Sequence, residues 1–317
     1  MATIGTTDTN RTNTVDRDVD STIALVAYTK TPFYTGLRME KAIELKVEKL
    51  EDVLGAAARN AHVEGANPSY PARNAPAVLE NRVQRFEKSF QISEDLEAIK
   101  QYGIKSEFDR NNRLNMEELA RDIEWACLNE TVQTGTGPGG DANRMNGILQ
   151  FTSTANDYDF SGAFADTNHI TYGILLNALQ AQYEEGADPD RVLAPPSQKR
   201  KISAFQGNSR VEVNLDAASK TLNMIVDVLE TDFGVVMVMN ELFLAEETDT
   251  SKQYQTVLVY DSSKVACKTL RPLMREEMAK TGDARNWRMT TSKTILPDSR
   301  KAFNKIEHLT KVALTTE

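Results

Sequence analysis

Residues Lys105–Asn129 read KSEFDRNNRLNMEELARDIEWACLN and carry the longest helical signal in the chain. Phe108, Met116, Leu119, Ile123, Ala126 and Cys127 recur at helical spacing and form one apolar stripe, while Glu117 and Arg121 stand at i,i+4 on a solvated face. At the α-helical rise the segment spans about 37 Å. Just upstream, Ser93 followed by Glu94 and Asp95 predicts a helix start, because a serine oxygen can accept from free backbone N–H groups and acids suit the positive end of a helix. Just downstream, Thr134-Gly-Thr-Gly-Pro-Gly-Gly-Asp141 predicts a flexible joint.

Before the helix the pattern changes to period two. From Met39 to Val47 the apolar Ile43, Leu45 and Val47 alternate with Glu44, Lys46 and Glu48, which predicts a half-buried strand with a charged outer face. A stretch punctuated by Pro68, Pro71 and Pro76 follows, where helix is disfavoured. A second strand-like run extends from Asn81 to Ile92, with Val83, Phe86 and Phe90 among Arg82, Arg85 and Lys88. Two strands separated by a long polar excursion bury little on their own, so this arm is expected to lean on a partner. Met1 to Ser21 is dominated by Thr, Asp, Asn and Arg, has too little apolar surface to fold alone, and is expected to gain order from a neighbouring subunit.

Beyond the glycine-rich joint, helical and strand patterns alternate. Tyr172 to Glu185 is amphipathic through Leu175, Leu176, Leu179 and Tyr183, with Gly186 placed to stop it. Arg191–Ala194 reads as a short strand, and Pro195-Pro196-Ser197 opens a helix through Phe205. Leu222–Leu229 and Val235–Met239 flank Thr231-Asp-Phe-Gly234, a hairpin signal. Further strands are predicted at Thr256–Tyr260, Val265–Leu270, Trp287–Ile295 and Lys305–Leu309. The class is α+β, with no internal repeat.

Composition narrows the function. The 317 residues carry a net charge of −9, which argues against a protein that binds by neutralising phosphates. Apolar runs such as Val235–Met239 fall far short of the ~20 residues that cross a bilayer, and no secretory signal is visible, so a reducing cytoplasm is expected. Cys127 and Cys267 have no second Cys or His at ligand spacing and read as buried free thiols. Gly135, Gly137 and Gly140 match G-x-G-x-x-G, but the run follows a helix instead of a strand and contains Pro138, so a hinge is preferred to a phosphate cradle. His62, His169 and His308 are scattered, Glu246, Glu247 and Asp249 read as a solvated loop, and Trp125 and Trp287 as core or interface aromatics. No nucleophile setting, cofactor motif or metal-ligand spacing is found, and a catalyst is not expected.

The order of parts, a polar arm, a two-stranded excursion, one long helix, a compact α/β region and returning strands, resembles the major capsid protein of tailed bacteriophages, the Hong Kong 97-type fold that encapsulins also use. Local stretches are similar to one phage major-head subfamily: Val63-Glu-Gly-Ala66, Asn81-x-x-Gln84-x-Phe86-x-Lys88, Glu118-Leu-Ala-Arg-Asp-Ile-Glu124, Leu270-Arg-Pro272 and Ala279-Lys-Thr-Gly-Asp283. The resemblance implies an N-terminal arm (1–35), an extended β-hairpin loop (36–92), a peripheral domain with the long spine helix (93–134 and 256–317) and an α/β axial domain (135–255). It implies assembly with copies of itself into pentamers and hexamers of an icosahedral virion shell, built in the host cytoplasm. Scaffold, portal and decoration proteins are further expected partners, double-stranded DNA is touched only weakly and non-specifically, and neither membrane nor cofactor is involved. Gly135, Gly137, Gly139 and Gly140 would form the hinge that lets identical chains occupy unequal positions. Some family members weld the shell by a Lys–Asn isopeptide bond, for which Lys41, Lys46 or Lys49 with Asn286 or Asn304 are the candidates, although exposed lysines and asparagines are common anyway. The alternatives are an encapsulin-like enzyme compartment and an unrelated cytoplasmic enzyme.

Overall fold

The computed structural model describes residues 30–99, 106–152, 157–159, 168–205, 228–244 and 254–311, apart from 56, 66, 68, 69, 71, 74, 138, 139 and 281. The polar stretch Met1 to Ser21, the first part of the Leu222–Leu229 strand, Gly139, and Glu246, Glu247 and Asp249 lie outside the described residues.

The long helix forms as α3, Glu107–Asn129. Ser106 caps it, its Oγ accepting the Asp109 N–H at 3.2 Å, and Glu107 and Asp109 face the positive end. Its second half enters the core through Leu119, Ile123, Ala126, Cys127 and Leu128. The first half instead rests on aromatic rings, Phe108 lying 4.8 Å from Trp287 and 5.9 Å from Phe90 between centroids. The expected Glu117–Arg121 pair does not form. Arg121 lies over the Phe243 ring at 5.9 Å, because a neighbouring aromatic offers it a better surface than water offers an exposed ion pair.

The other helices are α1 (Pro32–Gly36), α2 (Glu94–Ala98), α4 (Tyr172–Glu184) and α5 (Pro196–Ala204). Ser93 caps α2, as its position predicts, with Oγ accepting from Leu96 N at 3.2 Å. Gly186, at φ +87°, ends α4 in a conformation that costs a side chain strain.

Strands β1 (Arg38–Lys41), β4 (Gln84–Ser93), β10 (Val265–Met278) and β11 (Ala284–Pro297) form a four-stranded sheet in the order β1-β10-β11-β4, with β1 parallel to β10 and the rest antiparallel. α3 packs on β4 and β11. A six-stranded sheet has the order β5-β12-β9-β6-β8-β7, from β5 (Asp157–Asp159), β6 (Arg191–Ala194), β7 (Val228–Thr231), β8 (Gly234–Asn240), β9 (Tyr254–Tyr260) and β12 (Phe303–Thr310). Its core joins Leu175, Leu179, Val192, Val257, Val259 and Ile306 under α4. The hairpin signal at Thr231–Gly234 is realised between β7 and β8, with Gly234 at φ +128°. The remaining strands, β2 (Lys46–Glu51) and β3 (Ala77–Arg82), pair only with each other.

One expectation is corrected. The single strand from Met39 to Val47 is two strands, and Ile43 between them is 86% exposed. β1 joins β10 whereas β2 leaves to meet β3; alternation shows a strand's faces but not where the chain changes partner. Sheet membership also cuts across the expected segments. β1 and β4, within 36–92, belong to the sheet with β10 and β11, while most of β9 and all of β12, within 256–317, lie in the six-stranded sheet.

Candidate assembly surfaces

The β2–β3 hairpin packs one face on the subunit, where Leu79 is fully buried and Lys49 reaches Asp298, and leaves the other face bare. Leu50 and Val78 face each other across the strands and are both exposed, as are Leu45, Val53 and Val63; Leu54 and Tyr70 are 91% and 88% exposed. Apolar surface gathered along one protruding loop marks a contact region.

The base of that hairpin is rigidly held, and the residues responsible are those of the Asn81-x-x-Gln84-x-Phe86-x-Lys88 stretch. Asn81 is almost wholly buried; its Nδ2 donates to Ile295 O at 2.6 Å and Asn146 O at 2.9 Å, and its Oδ1 accepts from Asn146 N at 2.7 Å and Arg82 N at 2.8 Å. Gln84 Oε1 accepts from Met145 N at 3.0 Å, and Phe86 enters the main core. Lys88 reaches α3, where Asp122 at 2.8 Å and Glu118 at 3.5 Å hold its ammonium and raise its pKa, the hydrogen bond to Asp122 foremost. The similar stretches on β4 and on α3 are therefore two sides of one joint. Trp125 and Phe243 line an open groove of about 350 Å³ beside it.

The Ala279–Asp283 stretch is the turn between β10 and β11. Gly282 has φ +70°, Asn286 Nδ2 donates to Ala279 O at 3.1 Å, and Lys280 pairs with Glu94 of α2. That pairing holds the Glu94 carboxyl below its usual range, while the Asp283 carbonyl accepts the Glu94 N–H at 3.1 Å.

The expected flexible joint is folded back on itself. Gln133 and Arg144 form an antiparallel bridge, Thr136 N donates to Asp141 O at 3.2 Å, and Gly135 N donates to Asn143 Oδ1 at 2.8 Å. Gly137 occupies φ +106°, and a Cβ on Gly135 would come within 2.9 Å of the Asp141 carbonyl oxygen. These glycines therefore shape a laced turn; high glycine content signals permissive backbone, which serves tight turns as readily as hinges. Gly140 N closes the turn on Gly137 O at 3.1 Å.

The five residues named for a covalent link are scattered. Lys41 is exposed at the end of β1. Lys46 is held by Glu48 at 2.6 Å and Glu80 at 2.5 Å, and Lys49 by Asp298 at 2.5 Å. Asn286 sits in β11 with its amide on Ala279 O. Asn304 is wholly buried, its Nδ2 donating to Ala178 O at 3.2 Å, so it is closed to a second subunit. Both cysteines are buried, and burial raises their pKa, that of Cys267 to about 11.

Two groupings escaped the sequence because their members are far apart in it. His308, in a left-handed conformation at a break in the β12–β9 register, brings Nδ1 within 2.5 Å of Asp159 Oδ1, with Glu307 alongside. Lys305 already balances this corner, 2.9 Å from Glu307 and 3.3 Å from Asp157. The second is a pair of buried carboxyls, Glu124 and Glu241.

A long helix against a four-stranded sheet, a six-stranded α/β layer and a protruding hairpin together define the Hong Kong 97-type capsid fold. The solved structures with this fold include the capsid of the Myoviridae phage XM1 (TM-score 0.63, 15% identity, covering 92% of this chain and 97% of that one). The capsid of a native GTA particle has TM-score 0.62 and 14% identity, covering 93% and 96%. The SrpI encapsulin of Synechococcus elongatus has TM-score 0.60 and 10% identity, covering 94% and 95%. No curated protein matches at the sequence level. Residues 3–310 match the model of the SU10 major capsid protein family, and the chain belongs to that family.

Proposed function

We propose that the chain is the shell subunit of a tailed-phage virion, assembling with copies of itself into the pentamers and hexamers of an icosahedral particle that encloses double-stranded DNA. The observation that carries this is the exposed apolar face of the β2–β3 hairpin and its loop, mounted on the locked joint at Asn81. A neighbouring subunit is the surface that would cover it, so part of each chain's stability belongs to the lattice. The extended loop narrows to the hairpin and residues 52–76, α3 serves as the spine of a peripheral domain around β1, β4, β10 and β11, and the six-stranded layer serves as the axial domain. Assembly takes place in the host cytoplasm with scaffold, portal and decoration partners.

Electron microscopy of the purified chain under assembly conditions is expected to show closed icosahedral shells; dispersed small particles would sink the proposal. An encapsulin-type compartment has the same fold, as the likeness to SrpI illustrates, and would hold an enzyme in place of DNA, so nucleic acid protected from nuclease inside purified particles separates the two. The net charge of −9 supports weak, non-specific contact with DNA, and free subunits are expected to show no strong salt-sensitive DNA affinity. The burial of Asn304 and the hydrogen bond of the Asn286 amide to Ala279 O weigh against a Lys–Asn weld. Boiled particles then run as a single monomer band in a denaturing gel.

A further inference from the structure

The α1 segment is fastened to the long helix by one side chain. Phe33 and Tyr34 donate their backbone N–H groups to Glu124, to Oε1 at 2.8 Å and to Oε2 at 2.7 Å. Phe33 is wholly buried, its ring 5.4 Å from that of Tyr260. Glu124 is fully buried as well, and so is the carboxyl it faces, that of Glu241 just after β8. Glu241 Oε1 accepts the Phe243 N–H at 3.0 Å, but its Oε2 is a buried oxygen that no donor reaches among the described residues. The segment carrying Glu241 is pinned to α3 independently, by Asn129 Nδ2 donating to Phe243 O at 2.7 Å, so the two carboxyls cannot simply drift apart.

The described elements around the pair supply no counter-charge. Cys127 on α3, Tyr260 on β9 and Cys267 on β10 are buried and uncharged. Lys293 on β11 is engaged with Tyr34, over its ring at 4.7 Å and at its hydroxyl. Arg191 on β6 lies beside Tyr260 and 3.6 Å from Asp190. Among the described residues no cation forms an ion pair with either carboxyl. Two ionised carboxylates cannot stay face to face in such a place, since burial and mutual repulsion both oppose the second charge. Both carboxyls accept backbone N–H groups, Glu124 from Phe33 and Tyr34 and Glu241 from Phe243, so the pair as a whole keeps one negative charge and one proton between its facing oxygens.

We propose that Glu124 and Glu241 share a single proton and so form a pH-sensitive latch that fastens α1 to the long helix and to the segment after β8. Burial is the main cause that raises both carboxyls, and the neighbouring Glu241 adds to it for Glu124, pushed up to about 9. A folded-state value above the ordinary 4.5 means that the docked state holds the extra proton, so the latch is strongest below that value and weakens as pH rises towards 9. Loss of the proton sets two buried charges against each other, and undocking α1 relieves them.

Hydrogen exchange of the Phe33 and Tyr34 amides in the full chain, corrected for the intrinsic rise of exchange with pH, tests this. Protection is expected to fall by roughly tenfold per pH unit between about pH 6 and 9 in the wild type. In Glu241→Gln it is expected to stay flat, because the amide supplies a permanent N–H to Glu124 and keeps an oxygen for the Phe243 N–H. Equal slopes in the two proteins, or a wild-type protection that ignores pH, overturns the latch. Should Glu241→Gln fail to fold, the infrared spectrum of the wild type decides: a protonated carboxylic acid band present at neutral pH and lost on raising the pH past 9 upholds the shared proton, and its absence at neutral pH overturns it.

Discussion

The β9 strand and the β2–β3 hairpin teach opposite lessons about where a capsid subunit keeps its stability. In β9, Val257, Leu258, Val259 and Tyr260 are all fully buried, on both faces of a strand flanked by β12 and β6. Each such side chain contributes about 1.5–3 kcal/mol within the subunit itself. The hairpin has the same kind of residues in Leu50 and Val78, yet they are exposed, because they lie on the face opposite the one that buries Leu79 and meet no other layer among the described residues. The central strand is stabilised within the monomer, and the outer face of the hairpin is left bare for a partner to cover.

The comparison can be broken by substitution, read as the loss of subunit stability in denaturant. Leu258→Ala in β9 is expected to cost about 2–5 kcal/mol through lost burial and the cavity left behind. At the joint between the two regions, Asn81→Ala strands four backbone groups that Asn81 now satisfies and is expected to cost about 1–3 kcal/mol, with faster exchange of the Asn146 amide as a local signature. Ser106→Ala removes the cap of α3 and is expected to cost about 1 kcal/mol. Leu50→Asp on the hairpin is expected to change subunit stability by less than about 0.5 kcal/mol. Sedimentation should nonetheless show that Leu50→Asp no longer forms particles. A Leu50→Asp chain that unfolds like Leu258→Ala, or that assembles normally, would erase the distinction between the regions.

Much of this was legible from local pattern. The stripe from Phe108 to Cys127, except for the exposed Met116, the cap position at Ser93, the turn at Thr231–Gly234 and the stop at Gly186 each reflect forces acting within a few residues, and each appears where the pattern puts it. What failed required knowledge of partners distant in the chain. Ile43 and Leu45 alternate like a strand that has a core beneath it, but the chain leaves β10 at Lys41 and no layer follows. Gly135 and Gly137 announce freedom, and here the bonds that tie them into a turn, from Gly135 N to Asn143 Oδ1 and from Gly140 N to Gly137 O, are local but carry no pattern of their own.

The sequence by itself thus determined the element types, the long helix, the acidic balance and, through short matching stretches, the capsid resemblance, because propensity, periodicity and charge are properties of neighbours in the chain. Only the tertiary structure decided which strands share a sheet, that Asn81, Gln84 and Lys88 form the joint of the extended hairpin, and that Glu124 meets Glu241 across 117 positions of sequence. Each of these rests on burial and on completed hydrogen bonds between distant residues, and a group's chemistry depends on what surrounds it. A glutamate reads as a surface charge in the sequence, and the fold alone makes it one half of a shared proton.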